Sequence, residues 1–263
     1  MGNPVSLPVP GRTMLKVEHL TKVYDDGTVA LRDVSFEVPD GQFLAIIGLS
    51  GSGKSTLLRC INRLIDPTEG RIIWNGEDIT AATQEDLRRI RRRIGMVFQH
   101  FNLVYRSKVI TNVLAGRLGY TSPALSIANR FSKEDRDRAM AQLRRFGLEE
   151  KAQNRSEELS GGQQQRVGIA RAMMQEPEMI LADEPVASLD PVLAHSIMQY
   201  LEDINQNDGV TVLCSLHFLD LVQRYGQRVI ALNEGQLVFE GLPLEIDDQM
   251  FKDIYGQEAE RVG

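Results

Sequence analysis

Cysteine is nearly absent: Cys60 and Cys214 are the only two in 263 residues. They lie far apart in apolar surroundings, without the short spacing of a metal site. That excludes a disulfide framework and predicts two reduced core residues, as suits a cytosolic protein. Long apolar runs are missing too. The longest, FLAIIGL at 43–49, is strand-sized and far short of the ~18 residues a membrane helix needs. No basic-then-apolar segment marks a secretory signal, so the chain is expected to be soluble by itself. Positive charge is in deficit, with 30 Lys and Arg against 36 Asp and Glu. This argues against a nucleic-acid-binding surface. Internal repeats are absent as well. The opening MGNPVS fits the M-G-x-x-x-[ST] pattern of N-myristoylation. With Pro4 and Pro8 beside it, however, residues 1–13 read as a disordered tail.

The chain is 42% hydrophobic overall, enough to bury the core of one large domain or two lobes. Leu15–Tyr24 and Val34–Val38 alternate apolar and polar residues, the period of half-exposed strands. Phe43–Ile47 is continuously apolar and reads as a buried strand. Leu57, Leu58, Ile61, Leu64 and Ile65 then fall at helical spacing. RIIWNG follows as a strand with Asn75-Gly76 as its turn. Residues 100–158 lack strong strands. They predict an all-helical insertion with a helix over Val109–Leu118, a surface loop at TSPALSIANR, and a helix from a capping box at Ser132 to about Phe146. Buried-strand runs return at 179–182 and 210–216, each after a helix, which implies a parallel sheet covered on both faces. RVIALNEGQLVFEG closes the core as a hairpin around residues 233–235. The fold class expected is α/β.

Chemistry concentrates in a few stretches. Residues 48–55, GLSGSGKS, fit G-x-x-x-x-G-K-[ST] between a buried strand and a helix, the context that marks a true phosphate loop. Its glycines let backbone N–H groups face phosphates at a helix N-terminus. Lys54 is expected to reach the β- and γ-phosphates, and the Ser55 hydroxyl to bind Mg²⁺. Gly48, Leu49, Ser50, Gly51, Ser52, Gly53 and Thr56 complete the predicted cradle. Asp183 and Glu184 end the run 179–182. An Asp at the carboxyl end of a parallel strand emerges beside the phosphate crevice, where it can hold Mg²⁺, while Glu184 is placed to orient or deprotonate the attacking water. A second glycine turn, LSGGQQQR at 159–166, opens another helix. Ser160 can cap it, and Val167, Ile169, Ala170 and Met173 continue its apolar face.

Leu159-Ser160-Gly161-Gly162-Gln163 followed by QQR closely resembles the signature of ATP-binding cassette (ABC) proteins, and the resemblance covers Met14 to about Gly241 in family order. It implies a P-loop NTPase (RecA-like) core with an N-terminal antiparallel β subdomain and an inserted α-helical subdomain. The ATPase domain would span 14–263, with the core at 14–99 and 159–241, the helical subdomain at 100–158 and an extension at 242–263. Tyr24 is similar to the aromatic that stacks on adenine, and Gln99 to the glutamine that contacts Mg²⁺ and the attacking water. Ser188-Leu189-Asp190 resembles the dimer-contacting D-loop, and His217 the histidine that contacts the γ-phosphate. In the family, two chains pair head to tail, and each signature (Ser160, Gly161, Gly162, Gln163) closes on the ATP held by the other. The second glycine turn would then serve a partner's nucleotide.

DEPVASLDP and SLH depart from the commoner family wordings DEPTSALDP and TH. With NRLIDPTEG, NVLAGRLGY and FKDIYG they most resemble the ATPases of phosphonate importers. That implies ATP and Mg²⁺, a second copy of the chain, two permease subunits and, indirectly, an extracytoplasmic solute-binding protein. It places the chain peripherally on the cytoplasmic face of the cell (inner) membrane. Other solutes, such as phosphate or an amino acid, are the alternative, and a soluble ABC ATPase acting on nucleic acid or ribosomes a more distant one. Two further stretches stay open. Phe101, Leu103, Val104 and Tyr105 either line a groove for a permease helix or form the lobe's own core. The five arginines of LRRIRRRIG (87–95) read as a solvated helix face balanced by Glu85 and Asp86, with nucleic acid or anionic lipid as alternatives.

Overall fold

The computed structural model describes residues 13–121 and 131–255. The myristoylation pattern, nearly all of the loop expected at 121–130 and residues 256–263 lie outside them. Continuous apolar runs become strands buried on both faces: β3 (Phe43–Ile47), β6 (Ile94–Val97), β7 (Met179–Ala182) and β8 (Thr211–Ser215) are buried at every position. With β9 (Arg228–Asn233) and β10 (Gln236–Gly241) they form, among the described residues, a six-stranded sheet ordered β10-β9-β3-β8-β7-β6. The pairs β9–β3, β3–β8, β8–β7 and β7–β6 are parallel. β10 returns antiparallel to β9 as the expected hairpin, turning through Glu234 (φ 48°) and Gly235 (φ 78°).

A second, antiparallel sheet is ordered β2-β1-β4-β5, where β1 is Thr13–Val23, β2 Val29–Pro39, β4 Glu69–Trp74 and β5 Glu77–Asp78. Thr13, the last residue of the stretch expected to be a tail, pairs with Pro39 in this sheet. Alternation along the strands of the main sheet sorts its two faces. Ala45, Ile47, Ala182 and Cys214 pack with the helices that follow residue 108, while Leu44, Ile46, Leu181 and Leu213 pack with the antiparallel sheet and the helices over 54–61 and 84–91.

The helices differ from expectation where tertiary contacts intervene. Helix α1 (Lys54–Ile61) stops before Leu64 and Ile65. Arg63 turns the chain at φ 48°, and its guanidinium donates to the carbonyls of Ile79 and Thr80 at 2.9 and 2.8 Å. Helix α2 (Gln84–Arg91) is capped by Thr83. Helix α3 (Val109–Leu114) tightens into a 3₁₀ turn over Ala115–Tyr120, where Gly116 lies so close to its neighbour that a Cβ there would sit 2.2 Å from the Arg171 carbonyl. Helix α4 (Lys133–Arg145) has half of its expected capping box: Ser132 accepts from the Asp135 N–H at 3.0 Å, but its hydroxyl donates to the Asp135 carboxylate. The chain then carries α5 (Gly161–Met173), α6 (Pro191–Asp208), α7 (Leu219–Tyr225) and α8 (Asp248–Tyr255). Among the described residues of 100–158, the only β pairing is a single Lys108–Arg155 bridge.

Candidate functional site

Strand register decides which residues meet. Ile46 pairs with Ser215, Ala182 with Cys214 and Val97 with Ala182, so β3, β8, β7 and β6 end together. The residues just past those ends share one crevice at the carboxyl edge of the sheet: the loop 48–53, His217, the pair Asp183-Glu184, and Gln99. A crevice of this kind is where open α/β sheets bind ligands.

The phosphate loop is built as its spacing predicts. Gly48, Gly51 and Gly53 have φ of 141°, 82° and 104°, values L side chains rarely adopt. A Cβ on Gly48 would lie 2.1 Å from the Leu232 carbonyl, and one on Gly53 2.4 Å from that of Ala30. Lys54 is 3% exposed. Its ammonium donates to the carbonyls of Gly48 and Leu49, both at 2.8 Å, so it folds back over the loop. Burial pushes its pKa below the ordinary lysine value, opposed by the carboxylates of Glu184 and Asp183. The Ser52 hydroxyl is buried in the loop without a hydrogen-bond partner. A buried orphan hydroxyl in a loop of left-handed glycines, with a buried lysine over it, fits a phosphate group that would satisfy them.

Asp183 is 2% exposed. The Ser55 hydroxyl donates to its Oδ1 at 2.6 Å, and the Arg59 guanidinium lies 3.4 Å from Oδ2. Serine and aspartate oxygens thus converge where the loop meets β7, a hard-oxygen pair of the kind Mg²⁺ takes alongside phosphates. Glu184 has φ 48°, a strained conformation for a non-glycine residue. Its carboxylate is 2.6 Å from Nε2 of His217, and its N–H donates to the Ser215 hydroxyl at 2.8 Å. Tyr24 follows β1, and its hydroxyl is 3.2 Å from that of Thr56. Gln99 is half-buried after β6.

The second glycine turn stands apart. Ser160 accepts from the Gln163 N–H at 3.4 Å while the Gln163 side chain accepts from the Ser160 N–H at 2.9 Å, a reciprocal capping box. Among the described residues no hydrogen bond joins 160–163 to the phosphate loop. Gly161 and Gly162 instead face Leu189 and Leu193, at the segment where Asp190 caps α6 through the Leu193 N–H at 3.0 Å.

The family described as ABC transporter matches residues 31–187. This chain belongs to the ABC transporter family. It is 51% identical over 250 residues to the phosphonates import ATP-binding protein PhnC of Bdellovibrio bacteriovorus, covering 95% of this chain and 96% of that one. It is 50% identical over 245 residues to the protein of the same name from Staphylococcus haemolyticus, covering 93% and 95%. Among solved structures it resembles the ATP-binding cassette MJ0796 in a dimeric post-hydrolysis state bound to ADP and Pi. That likeness has a TM-score of 0.78 and 37% identity over 88% of this chain and 99% of that one. As an ABC ATPase the chain binds ATP.

The open stretches divide. Leu103 is buried and Phe101 packs on the core, which is the core reading, whereas Val104 and Tyr105 are exposed. The five arginines are not one solvated face either. Arg91 donates to the Asn62 carbonyl at 3.0 Å. Arg93 binds Glu178 through two nitrogens at 2.6 and 2.7 Å and covers the Trp74 ring at 4.5 Å. Arg91 thus ties α2 to the end of α1, and Arg93 ties the antiparallel sheet, through Trp74, to Glu178 beside β7. Among the described residues, no helix is long and apolar enough to cross a membrane. Both cysteines are free and buried, and burial pushes the Cys60 thiol up to about 12.

Sequence reasoning missed Ser215. The departure from the usual wording at SLH marks this segment, but no pattern gives a role to a hydroxyl inside a buried strand.

Proposed function

We propose that this chain is the ATP-hydrolysing subunit of an importer for phosphonates or phosphite-like anions, acting through a separate permease. The observation that carries the reading is the meeting of Lys54, Ser55, Asp183, Glu184 and His217 at the ends of three parallel strands. Loop N–H groups and Lys54 bind the phosphates, and Tyr24 packs on the adenine. Glu184 takes a proton from the attacking water, and His217 holds the Glu184 carboxylate in place and contacts the γ-phosphate. Ser55, Asp183 and Gln99 would hold Mg²⁺, which when bound neutralises charge on the phosphate oxygens. The phosphonate assignment rests on the names of the relatives.

The active unit in this reading is a head-to-tail pair with two ATPs at its interface, because Ser160, Gly161, Gly162 and Gln163 make no hydrogen bond to their own phosphate loop. Exposed apolar residues support a partner there: Leu49 in the loop, Val192 and Leu193 after Asp190, and Phe218 after His217. Residues 14–99 and 159–241 form the core, 100–158 the helical subdomain and 242–263 the extension. Permease docking falls to the junction of core and helical subdomain. There Val104 and Tyr105 are exposed, and Arg88, Arg91, Arg92 and Tyr120 line a cavity of about 570 Å³. The chain would sit on the cytoplasmic face of the membrane.

Affinity purification of the tagged chain from native membranes in mild detergent tests this. Recovery of a polytopic permease, whose binding protein takes phosphonate in preference to phosphate or amino acids, is the expected result. Recovery of ribosomes or nucleic acid without a membrane subunit would overturn it.

A further inference from the structure

Ser215 is the last residue of β8 and fully buried. Its hydroxyl accepts the Glu184 N–H at 2.8 Å, a normal hydrogen-bond length. Its own proton faces Asp183 Oδ1 at 3.4 Å and the Ala182 carbonyl at 3.5 Å. Both are longer than a good O–H···O bond, so the acceptor role is the strong one. The residue it restrains is the one that needs restraint. Glu184 sits at φ 48°, a conformation that persists only where the surroundings hold it. Two points from one strand end do so: Ser215 on the backbone and His217 on the carboxylate at 2.6 Å. Without the hydroxyl, the Glu184 N–H would face a buried alanine methyl and the backbone would be free to relax toward ordinary φ. The carboxylate would then move away from the water it activates.

We infer that Ser215 is a positioning residue for ATP hydrolysis, acting through the backbone of Glu184. This rests on Glu184 being the base. The effect falls on the chemical step rather than on nucleotide binding, because the short bond of Ser215 is to the Glu184 N–H, its contact with Asp183 is long, and Ser55 still donates to Asp183 without it.

The experiment is a double-mutant cycle on the purified full chain, following steady-state hydrolysis and binding of a fluorescent ATP analogue, with thermal midpoints as a folding control. Ser215→Ala is expected to lower kcat about 10- to 100-fold, the scale of an ångström-sized misplacement, with KM and analogue binding within about twofold. Ser215→Thr, which keeps the oxygen, should recover most of the loss. On a Glu184→Gln background, Ser215→Ala should change residual turnover by less than about twofold, since there is no carboxylate left to position. Wild-type kcat in Ser215→Ala beside a slow Glu184→Gln would overturn the role of Ser215 alone. A full additional loss when Ser215→Ala is added to Glu184→Gln would overturn its action through Glu184. Near-normal turnover in Glu184→Gln would instead remove Glu184 as the base.

Discussion

The chain has two glycine turns at helix starts, and they are glycine-rich for different reasons. At 48–53 the backbone itself demands glycine: three positive φ values and carbonyls 2.1 and 2.4 Å from the missing Cβ atoms. At 161–162 neither residue has positive φ. A Cβ on Gly161 would meet nothing nearer than Leu189 at 3.6 Å, and one on Gly162 would touch only the flexible Leu193 side chain at 3.2 Å. The first turn is closed around its own lysine; the second leaves Ser160 and Gly161 exposed. Glycine in the first is a folding requirement, and in the second the fold of this chain does not demand it.

Substitutions can break or sharpen that contrast. The largest effect is expected at the hydrolytic side of the first turn, where Glu184→Gln should reduce ATP turnover about 10²–10⁴-fold while a fluorescent ATP analogue still binds. Next is Gly48→Ala, which combines a clash with backbone strain and should destabilise the fold by at least about 2 kcal/mol in urea unfolding. Gly161→Ala should leave that unfolding curve unmoved and abolish the ATP-dependent dimer seen by light scattering in the Glu184→Gln background. If it unfolds the chain instead, the contrast fails. Ser160→Ala removes a helix cap and should cost about 1 kcal/mol, read as a shift in the thermal midpoint.

The smallest effect is electrostatic. Burial lowers the Lys54 pKa below 10.5, so on the alkaline side the unfolded chain holds a proton the folded one has released. Nucleotide-free stability should therefore gain from this residue as pH rises through the lowered pKa toward 10.5. Lys54→Met should remove that gain, which unfolding curves from about pH 8 up to the ordinary lysine pKa would detect.

Much of this was legible in the residues. The apolar runs at 43–47 and 179–182, the run at 210–216 to within one residue at each end, the phosphate loop and the Ser160 cap all formed where local pattern placed them, because each depends on neighbours within a few positions. Helix α1 is where the apolar pattern misled. Leu64 and Ile65 kept the spacing going, but Arg63 has tertiary partners at Ile79 and Thr80 that end the helix. Arg91 and Arg93 looked like surface charge for the same reason. Their partners Asn62, Trp74 and Glu178 lie on other elements, and periodicity carries no information about those.

The sequence by itself determined an α/β chain with a phosphate loop, an acidic pair at a strand end and a second, capped glycine turn, since these follow from side-chain periodicity and backbone freedom. Tertiary structure alone decided that residues 48, 99, 183 and 217 share one edge, that Glu184 is held in a strained conformation, and that a buried serine restrains it. The physical reason is strand register: parallel pairing brings together residues far apart in the chain, and only the packed sheet sets which ones meet.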